Sequence, residues 1–256
     1  MSNIKPNIKL WQDKIENIAK AIPEDEICPR CQVNTLQGLQ KICTHCQEAD
    51  LFEARKKYIS DNIELILTEK GVGKRHLQCT FDNFEVGQNE KCVSFLKSIN
   101  RKLTDSILLC SPTPGTGKTH LATATLRRIL LSGFEDVLFV TSPDIFLEIK
   151  NSYDGNSDTS EKRVIDKYCC IHFLVIDDIG VERVTDWLLQ IWYMILSRRE
   201  VEMRPTLYTS NLSLGDIKNS LGSRISSRLS GGYVFEIKGD DYRIKNRKII
   251  NHKFKH

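Results

Sequence analysis

Residues 107–119 read ILLCSPTPGTGKT, a short apolar run followed by a loop rich in proline and glycine. The run over residues 106–110 predicts a strand, and the residues from Lys118 onward predict a helix over residues 118–132. Glycines let consecutive backbone N–H groups of such a loop point inward as an anion nest, and the following helix adds its positive N-terminal dipole. The strand–loop–helix context therefore predicts a phosphate-binding P-loop.

The chemistry of this loop indicates ATP bound together with Mg²⁺. Lys118 is placed to reach the β- and γ-phosphates, and the Thr119 hydroxyl is placed to bind Mg²⁺. The full pattern has glycine where this chain has Pro112, which offers no N–H and fixes its φ angle near −65°. Because Pro112 lies at the start of the loop, the nest over residues 115–119 is expected to survive. The predicted nucleotide contacts are Pro114, Gly115, Thr116, Gly117, Lys118, Thr119, His120 and Asp177.

A second apolar run, residues 171–176, ends in Asp177 and Asp178. A buried strand that ends in acids places them at the carboxyl edge of the sheet, where ligands bind in open α/β folds. We expect Asp177 to hold Mg²⁺ through water, with Thr119, and Asp178 to polarise the attacking water as a general base. Many such ATPases carry glutamate at the second position. The shorter Asp178 therefore predicts modest turnover of ATP.

From about residue 76 onward, apolar runs of strand length alternate with helical segments. This alternation predicts an α/β fold with a parallel sheet covered by helices on both faces. The predicted strands cover residues 106–110, 137–141, 171–176, 206–210 and 233–237. The predicted helices cover residues 118–132, 143–151, 186–199 and 214–219.

Two CxxC pairs lie near the N-terminus, Cys28 with Cys31 and Cys43 with Cys46. Their spacing suits a tetrahedral Zn²⁺ site of four thiolates, which is closed to other ligands and therefore structural. In so short a segment the metal would supply much of the folding free energy. Buried or redox-active cysteines are the alternative. The other cysteines are expected to be ordinary buried thiols: Cys79, Cys92, Cys110, Cys169 and Cys170.

We predict four regions along the chain. Residues 1–70 form a small N-terminal domain, with helical patterns over residues 4–20 and 48–70 and the zinc segment over 27–47. Residues 71–75 form a glycine-containing linker. Residues 76–242 form the ATPase domain, and residues 243–256 form a basic tail. That tail is either a solvated end of the chain or an arm that contacts phosphates.

The composition limits the class of protein. Of the 256 residues, 40% are hydrophobic and 27% are charged, with a formal net charge of +4, as is ordinary for globular proteins. No run of eighteen or more apolar residues is present, so we expect no membrane association. Nine cysteines without a recognisable export signal indicate a reducing compartment, and we predict a cytoplasmic protein.

Six segments resemble, in order and spacing, those of the AAA+ superfamily, in particular the helicase-loader and transposition-helper group typified by DnaC, DnaI and IstB. They read TFDNF, GTGKTHLA, LVIDDIG, PTLYTSNL, LGSRISSRL and GDDYR, and begin at residues 80, 115, 174, 205, 221 and 239. The resemblance implies a five-stranded parallel sheet flanked by helices and no full lid domain. The zinc-bearing N-terminal domain, which in DnaI-like loaders binds a partner, makes a DnaI-like helicase loader the nearest architecture.

The resemblance also implies roles for polar residues after the fourth strand. The neutral amide of Asn211 suits hydrogen bonds to the γ-phosphate and the lytic water, although a simple turn residue is the alternative. Arg224 and Arg228 lie four residues apart on one helical face. The resemblance makes Arg228 a finger that reaches the nucleotide of a neighbouring subunit, with Arg224 in support, and both could instead be surface residues. Arg243 is a weaker candidate for a second sensor.

The function that these features predict is ATP-dependent loading of a hexameric replicative helicase of the DnaB type onto single-stranded DNA. The chain would self-associate into an ATP-bridged oligomer, with hydrolysis at the subunit interfaces. Residues 144–166 match an insertion that lines a DNA pore in the resembling group. Its cations Lys150, Lys162 and Arg163 are either DNA-phosphate contacts or solvated charges. A transposition helper that binds DNA and a transposase, and a DNA-binding adaptor that barely hydrolyses ATP, are the rival functions.

Overall fold

The structure, a computed structural model, describes residues 28–32, 42–153 and 160–245. The predicted helix over residues 4–20, the middle of the zinc segment and most of the basic tail lie outside the described residues. The chain divides into two compact units, Met1–Tyr58 and Ile59–His256.

Nine α-helices, one 3-10 helix (Lys74–His76) and five strands form within the described residues. The helices are α1 (Thr44–Asp61), α2 (Ile63–Glu69), α3 (Glu90–Ser98), α4 (Lys118–Leu131), α5 (Ser142–Asn151), α6 (Glu161–Cys170), α7 (Asp186–Val201), α8 (Leu214–Leu229) and α9 (Tyr242–Lys245). The strands are β1 (Ile107–Cys110), β2 (Val137–Thr141), β3 (Phe173–Ile179), β4 (Thr206–Ser210) and β5 (Tyr233–Glu236). None of these helices is long and apolar enough to cross a bilayer.

The five strands form one sheet in the order β2-β3-β4-β1-β5, and all four neighbouring pairs are parallel. The P-loop strand β1 lies between β4 and β5, with Ile107 paired with Leu207 on one side and Tyr233 on the other. All parallel strands therefore end at the same edge, where the P-loop begins after β1 and the two acids lie near the end of β3. The predicted α/β class with a five-stranded parallel sheet is confirmed.

Successive residues of each central strand face opposite sides of the sheet. In β1, Leu108 joins one buried cluster with the residues of α5 to α8, whereas Ile107 and Leu109 join a second cluster with residues of α2, α3 and α4. This alternation is the period of two that a strand imposes on its side chains. Both faces of the sheet are covered, which explains why its strands read as continuous apolar runs rather than alternating ones.

The structure corrects several predicted element bounds. The single helical pattern over residues 48–70 is two helices, α1 and α2, which Asn62 separates. Three helices, α3, α6 and α9, were not predicted, and α8 continues to Leu229 across Gly222, whose φ of 81° breaks the helical path. Strand β3 runs to Ile179, with an irregularity after Ile176.

Residues 59–75 pack within the second unit. Leu67 and Val72 are buried in the cluster beneath the sheet. Phe139 of β2 donates its N–H to the Lys70 carbonyl at 2.7 Å. Gly71 has a φ of 95°, and a Cβ there would lie 2.1 Å from the Phe139 carbonyl oxygen. The glycine is therefore required by this close backbone contact, and Val72 of the predicted linker is buried in the core of the second unit.

The cysteines outside the CxxC pairs follow the prediction with one exception. Cys79, Cys92, Cys110 and Cys169 are buried, but Cys170 is exposed. Consecutive residues of a helix point about 100° apart, so when Cys169 of α6 faces the core, Cys170 faces solvent. The expectation that Cys170 is a buried thiol was wrong.

A buried arginine, Arg199, stabilises the edge of the sheet opposite the P-loop. Arg199 of α7 is 1% exposed, and its five N–H donors are all engaged. They bind the Thr206 hydroxyl and the carbonyl oxygens of Tyr168, Ile171, His172 and Pro205, at 2.6–3.1 Å. One guanidinium thus ties α7 to the end of α6 and to the starts of β3 and β4.

Candidate functional site

The P-loop has the backbone form of an anion nest. Gly115 and Gly117 have φ angles of 70° and 91°, and Gly117 precedes α4 as its N-cap. A Cβ on Gly115 would lie 1.8 Å from an Asp241 side-chain oxygen, and one on Gly117 would lie 2.6 Å from the Phe84 ring. Both glycines are thus required by conformation and by space. Gly115 and Gly117 thus have the left-handed backbone that the predicted nest uses, although Pro112 precedes them.

Lys118 lies inside the loop. Its side chain is 5% exposed, and Nζ donates to the carbonyl oxygens of Ser111 and Thr113 at 3.4 and 3.2 Å and contacts the Thr116 hydroxyl at 3.4 Å. Burial lowers the pKa of Lys118, whereas the charges of Asp178 and Asp177 raise it. The ammonium is held by neutral oxygens that a phosphate oxygen can replace. This arrangement fits the phosphate chain of a nucleotide.

Asp177 lies at the end of β3 between two threonines. The Thr119 hydroxyl contacts its carboxylate oxygens at 3.0 and 3.1 Å, and the Thr209 hydroxyl donates to Oδ1 at 2.6 Å. Burial raises the pKa of Asp177 to about 6, partly offset by the Thr209 hydrogen bond. A carboxylate beside the P-loop threonine is an oxygen donor set that Mg²⁺ prefers. The residues present therefore fit the ion.

Asp178 is held in an unusual backbone conformation by β4. Its φ is 58°, and its N–H donates to the Thr209 hydroxyl at 2.9 Å. Its carboxylate accepts a hydrogen bond of 3.1 Å from the Asn211 amide. The predicted partners Asp178 and Asn211 are therefore brought together, and both line the same cavity as Lys118. Thr209, which supports both acids, was not predicted.

The cavity beside the P-loop has a volume of about 690 Å³, which lies in the range of small-molecule sites. Residues 115–120 line one wall, while His76, Phe84 and Arg243 come from segments before and after the sheet. His120 contacts the Thr80 carbonyl through Nε2 at 2.7 Å and lies 5.4 Å from the Phe84 ring. Pro114 is exposed and does not line the cavity.

The segment after β5 folds against the P-loop. Tyr242 donates its N–H to the Gly115 carbonyl at 3.1 Å. Asn89 exchanges two hydrogen bonds with the Lys238 backbone, at 2.8 and 2.9 Å. These contacts place Arg243 at the cavity. Asn89 was not predicted, because its contact with Lys238 joins positions far apart along the chain.

The two arginines of α8 do not line this chain's own cavity. Arg224 is exposed and Arg228 is half-buried against α7. The Arg228 Nε lies 3.2 Å from a Glu200 carboxylate oxygen, and the guanidinium carbon lies 4.6 Å from the centroid of the Tyr193 ring. The predicted DNA-contacting cations are exposed as well: Lys150 lies over the Trp187 ring, and Lys162 and Arg163 begin α6.

The four cysteines of the CxxC pairs converge within the first unit. Their sulfur atoms all lie within 4.8 Å of one another, with 3.9 Å between Cys28 and Cys46 and 3.8 Å between Cys31 and Cys43. Tetrahedral Zn²⁺ with bonds of about 2.3 Å requires sulfur separations of about 3.8 Å. Hydrogen bonds from the Cys31, Cys43 and Arg30 backbones lower the pKa of Cys28 to about 6. The cluster therefore fits Zn²⁺.

Known proteins resemble the second unit. The family model described as "IstB-like ATP binding protein" matches residues 80–249. The chain is 32% identical over 168 residues to the replicative helicase loader DnaC of Escherichia coli strain K12. This match covers 63% of this chain and 67% of that protein. It is 29% identical over 191 residues to the replicative helicase loader DnaC of Buchnera aphidicola subsp. Baizongia pistaciae, and the match covers 72% of this chain and 76% of that protein.

Solved structures agree with this relationship. The crystal structure of the DnaC helicase loader matches with a TM-score of 0.56 and 26% identity, over 65% of this chain and 100% of that one. The crystal structure of DnaI matches with a TM-score of 0.57 and 21% identity, over 66% of this chain and 95% of that one. At this identity the match shows the fold alone. The chain belongs to the IstB/DnaC-like family of AAA+ ATP-binding proteins.

Proposed function

We propose that this protein uses ATP to load a hexameric replicative helicase onto single-stranded DNA. The observation that carries the proposal is the convergence of Lys118, Asp178 and Asn211 on one cavity, in a chain whose relatives are named replicative helicase loaders. A complete nucleotide site indicates that ATP drives the process. The relatives' names indicate which process it drives.

ATP would lie in the P-loop cavity with its phosphates on the nest of residues 115–119. Thr119 and Asp177 would hold Mg²⁺, which neutralises phosphate charge when it is bound. Asp178 would accept the proton of the attacking water, with Asn211 orienting that water. The hydrogen bond between Asp178 and Asn211 supports this pairing, because it places both groups on the same side of the cavity.

The oligomer would place Arg228 of one copy at the nucleotide of the next, with Arg224 in support. In support of this, neither arginine lines its own chain's cavity, so a role at the nucleotide requires a neighbouring copy. A guanidinium can make paired hydrogen bonds to phosphate oxygens and carries a charge that does not titrate near neutral pH. Hydrolysis would then depend on assembly.

The N-terminal region, with its zinc cluster, would bind the helicase. The ATPase unit would bind single-stranded DNA through the exposed cations Lys150, Lys162 and Arg163. A deletion that ends at the predicted domain boundary, residue 70, would not test this role. Leu67 and Val72 are buried in the second unit, so deleting residues 1–70 would damage the ATPase unit. Substitution of the zinc ligands leaves that core untouched.

The test is mass photometry of the full chain mixed with the replicative helicase of its host, ATP and Mg²⁺. A defined complex is expected for the wild type, and its loss is expected for Cys28→Ser/Cys43→Ser. ATP binding by the double variant serves as the control for the integrity of the ATPase unit. A wild-type chain that forms no complex with the helicase, or that hydrolyses no ATP with DNA and helicase present, contradicts the proposal.

A transposition helper is the second candidate, because the matching family model is described as IstB-like. The ATPase site does not separate the two functions, since both use the same core. The partner does separate them. If the chain forms a stable ATP-dependent complex with a transposase and none with a helicase, the transposition function replaces the loader.

A further inference from the structure

The guanidinium of Arg228 is held by three groups of its own chain. Its Nε lies 3.2 Å from Glu200 Oε2, its plane lies 4.6 Å from the Tyr193 ring centroid, and Nη1 donates to the Arg224 carbonyl at 3.0 Å. Tyr193 and Glu200 are seven residues apart on α7, two helical turns, and therefore lie on the same face. Two elements, α7 and α8, thus fix one side chain.

Arg224 provides a contrast on the same helix. It lies one turn before Arg228 and is exposed. Among the residues that the structure describes, none makes an ion pair or a hydrogen bond with its guanidinium. The two arginines therefore differ in the contacts that their guanidinium groups make within the chain. Only Arg228 has an orientation that its own chain defines before any neighbour arrives.

The contacts leave Arg228 able to bind a further anion. Of the four N–H donors on Nη1 and Nη2, the Arg224 carbonyl engages one, whereas Nε is buried within ion-pair distance of Glu200 and makes no hydrogen bond. The tyrosine ring attracts the cation through its face without using a donor. Three donors remain for phosphate oxygens. Holding a flexible side chain in its binding orientation lowers the entropic cost of binding.

We propose that Tyr193 and Glu200 form a positioning clamp that aims Arg228 at the nucleotide of an adjoining copy of this chain. The inference rests on the proposed function, in which Arg228 acts in trans. Tyr193 and Glu200 touch no nucleotide themselves, and they act through Arg228. Tyr193 is 42% exposed, so the clamp lies at a surface that a second copy can reach.

The test measures ATP turnover and ATP-dependent assembly with Mg²⁺ and a single-stranded oligonucleotide. Tyr193→Ala is expected to lower kcat roughly three- to fivefold, the factor of an exposed cation–π contact, with the ATP affinity of the isolated chain unchanged. Tyr193→Phe retains the ring and should restore turnover. Glu200→Ala should also lower kcat. Glu202→Ala removes an equal charge from the exposed end of the same helix and is the matched control.

Mixed assemblies test whether the clamp acts between copies. Lys118→Ala copies lack a working nucleotide site but keep Tyr193 and Arg228. Adding them to Tyr193→Ala copies should raise the turnover of each remaining active site, because intact clamps then face those sites. Equal thermal unfolding midpoints of the single variants would show that the loss is not a loss of folding.

The outcomes separate the clamp from the proposed function. If Arg228→Ala lowers turnover but Tyr193→Ala and Glu200→Ala match the wild type, the clamp is wrong and the finger stands. If Arg228→Ala itself matches the wild type, the finger assignment fails and the clamp fails with it. If Tyr193→Phe is as slow as Tyr193→Ala, the ring does not position the arginine and the clamp is overturned.

Discussion

The Thr209 hydroxyl makes hydrogen bonds to both acids of the site. It donates to Asp177 at 2.6 Å and accepts the backbone N–H of Asp178 at 2.9 Å, and the residue is fully buried. The second bond holds Asp178 in its left-handed conformation, which costs free energy for a residue other than glycine. One side chain on β4 therefore fixes both the metal-binding position and the candidate base on β3.

Replacing Thr209 with valine keeps the size of the side chain and removes the hydroxyl. We expect unfolding free energy to fall by about 1–3 kcal/mol, because a buried carboxylate and a buried N–H lose their partner. Affinity for Mg²⁺–ATP should fall as well, since Asp177 is no longer fixed. Chemical denaturation and nucleotide titration measure the two effects. Thr206→Val, at the opposite end of β4, should lower stability but not nucleotide affinity. Equal affinity for Thr209→Val and the wild type would contradict the expectation.

Substitutions of Lys118 and Arg228 should impair different steps, nucleotide binding in the first case and turnover in the second. Lys118→Ala is expected to abolish nucleotide binding, since the ammonium lies inside the nest. Arg228→Ala is expected to leave binding by the isolated chain intact and to lower turnover by tenfold or more, as the loss of an arginine finger does elsewhere. Titration with a fluorescent ATP analogue separates binding from turnover. Equal loss of binding in both variants would argue against a finger that acts between copies.

The sequence predicted the acidic and basic residues of the site but not their supports. Lys118, Asp177 and Asp178 follow apolar runs in a recognisable order, so their roles could be inferred. Thr209 and Phe84 lie in segments that carry the family resemblance, but the sequence assigned no role to either side chain. Their importance depends on which strand lies next to β3 and on how the segment before the sheet folds back, and both are properties of tertiary packing.

At the scale of elements, strands were predicted more accurately than helices. Strands β2 and β4 match their predicted bounds because a buried parallel strand is a continuous apolar run between polar turns. Helix α6 was missed although Ser160 caps it. Its apolar positions Val164, Ile165, Tyr168 and Cys169 cover only two turns, which is too short for periodicity to stand out from the polar loop before it.

Arg199 is the element-scale feature that we expect to matter most for stability. Arg199→Lys keeps the charge but replaces five donors in a planar fork with three at one point. At least two buried carbonyl groups lose their partner, so unfolding free energy should fall by about 3 kcal/mol. Urea denaturation measures the change. The adjacent Arg198→Lys alters only an exposed ion pair with Asp166 and should cost under about 1 kcal/mol. Similar losses for both variants would show that burial of Arg199 is not the cause.

At the scale of the whole molecule, the zinc cluster and the nucleotide site draw on separate residues. All four cysteine ligands belong to the first unit, and the residues that line the nucleotide cavity belong to the second. Because of this separation, we expect that the metal or the nucleotide can be removed without affecting the site of the other.

Metal removal should therefore spare the nucleotide site. We expect one zinc per chain by elemental analysis, and a strong chelator should remove it and unfold the cysteine segment while ATP affinity stays the same. Saturating ATP at about 100 times its dissociation constant should stabilise the second unit by about 2.7 kcal/mol without protecting the metal. Differential scanning calorimetry with each ligand in turn checks both statements. A chelator that abolishes ATP binding would show that the units depend on each other.

The position of β1 in the sheet has a consequence during synthesis on the ribosome. Its neighbours β4 and β5 come about 100 and 126 residues later in the chain. At translation rates of about 5–20 residues per second, the four apolar residues of β1 wait roughly 5–20 s for their first partner strand. During that interval the edges of β1 are open to other chains. A slowly translated or truncated chain should thus depend on chaperones more than its final stability would suggest.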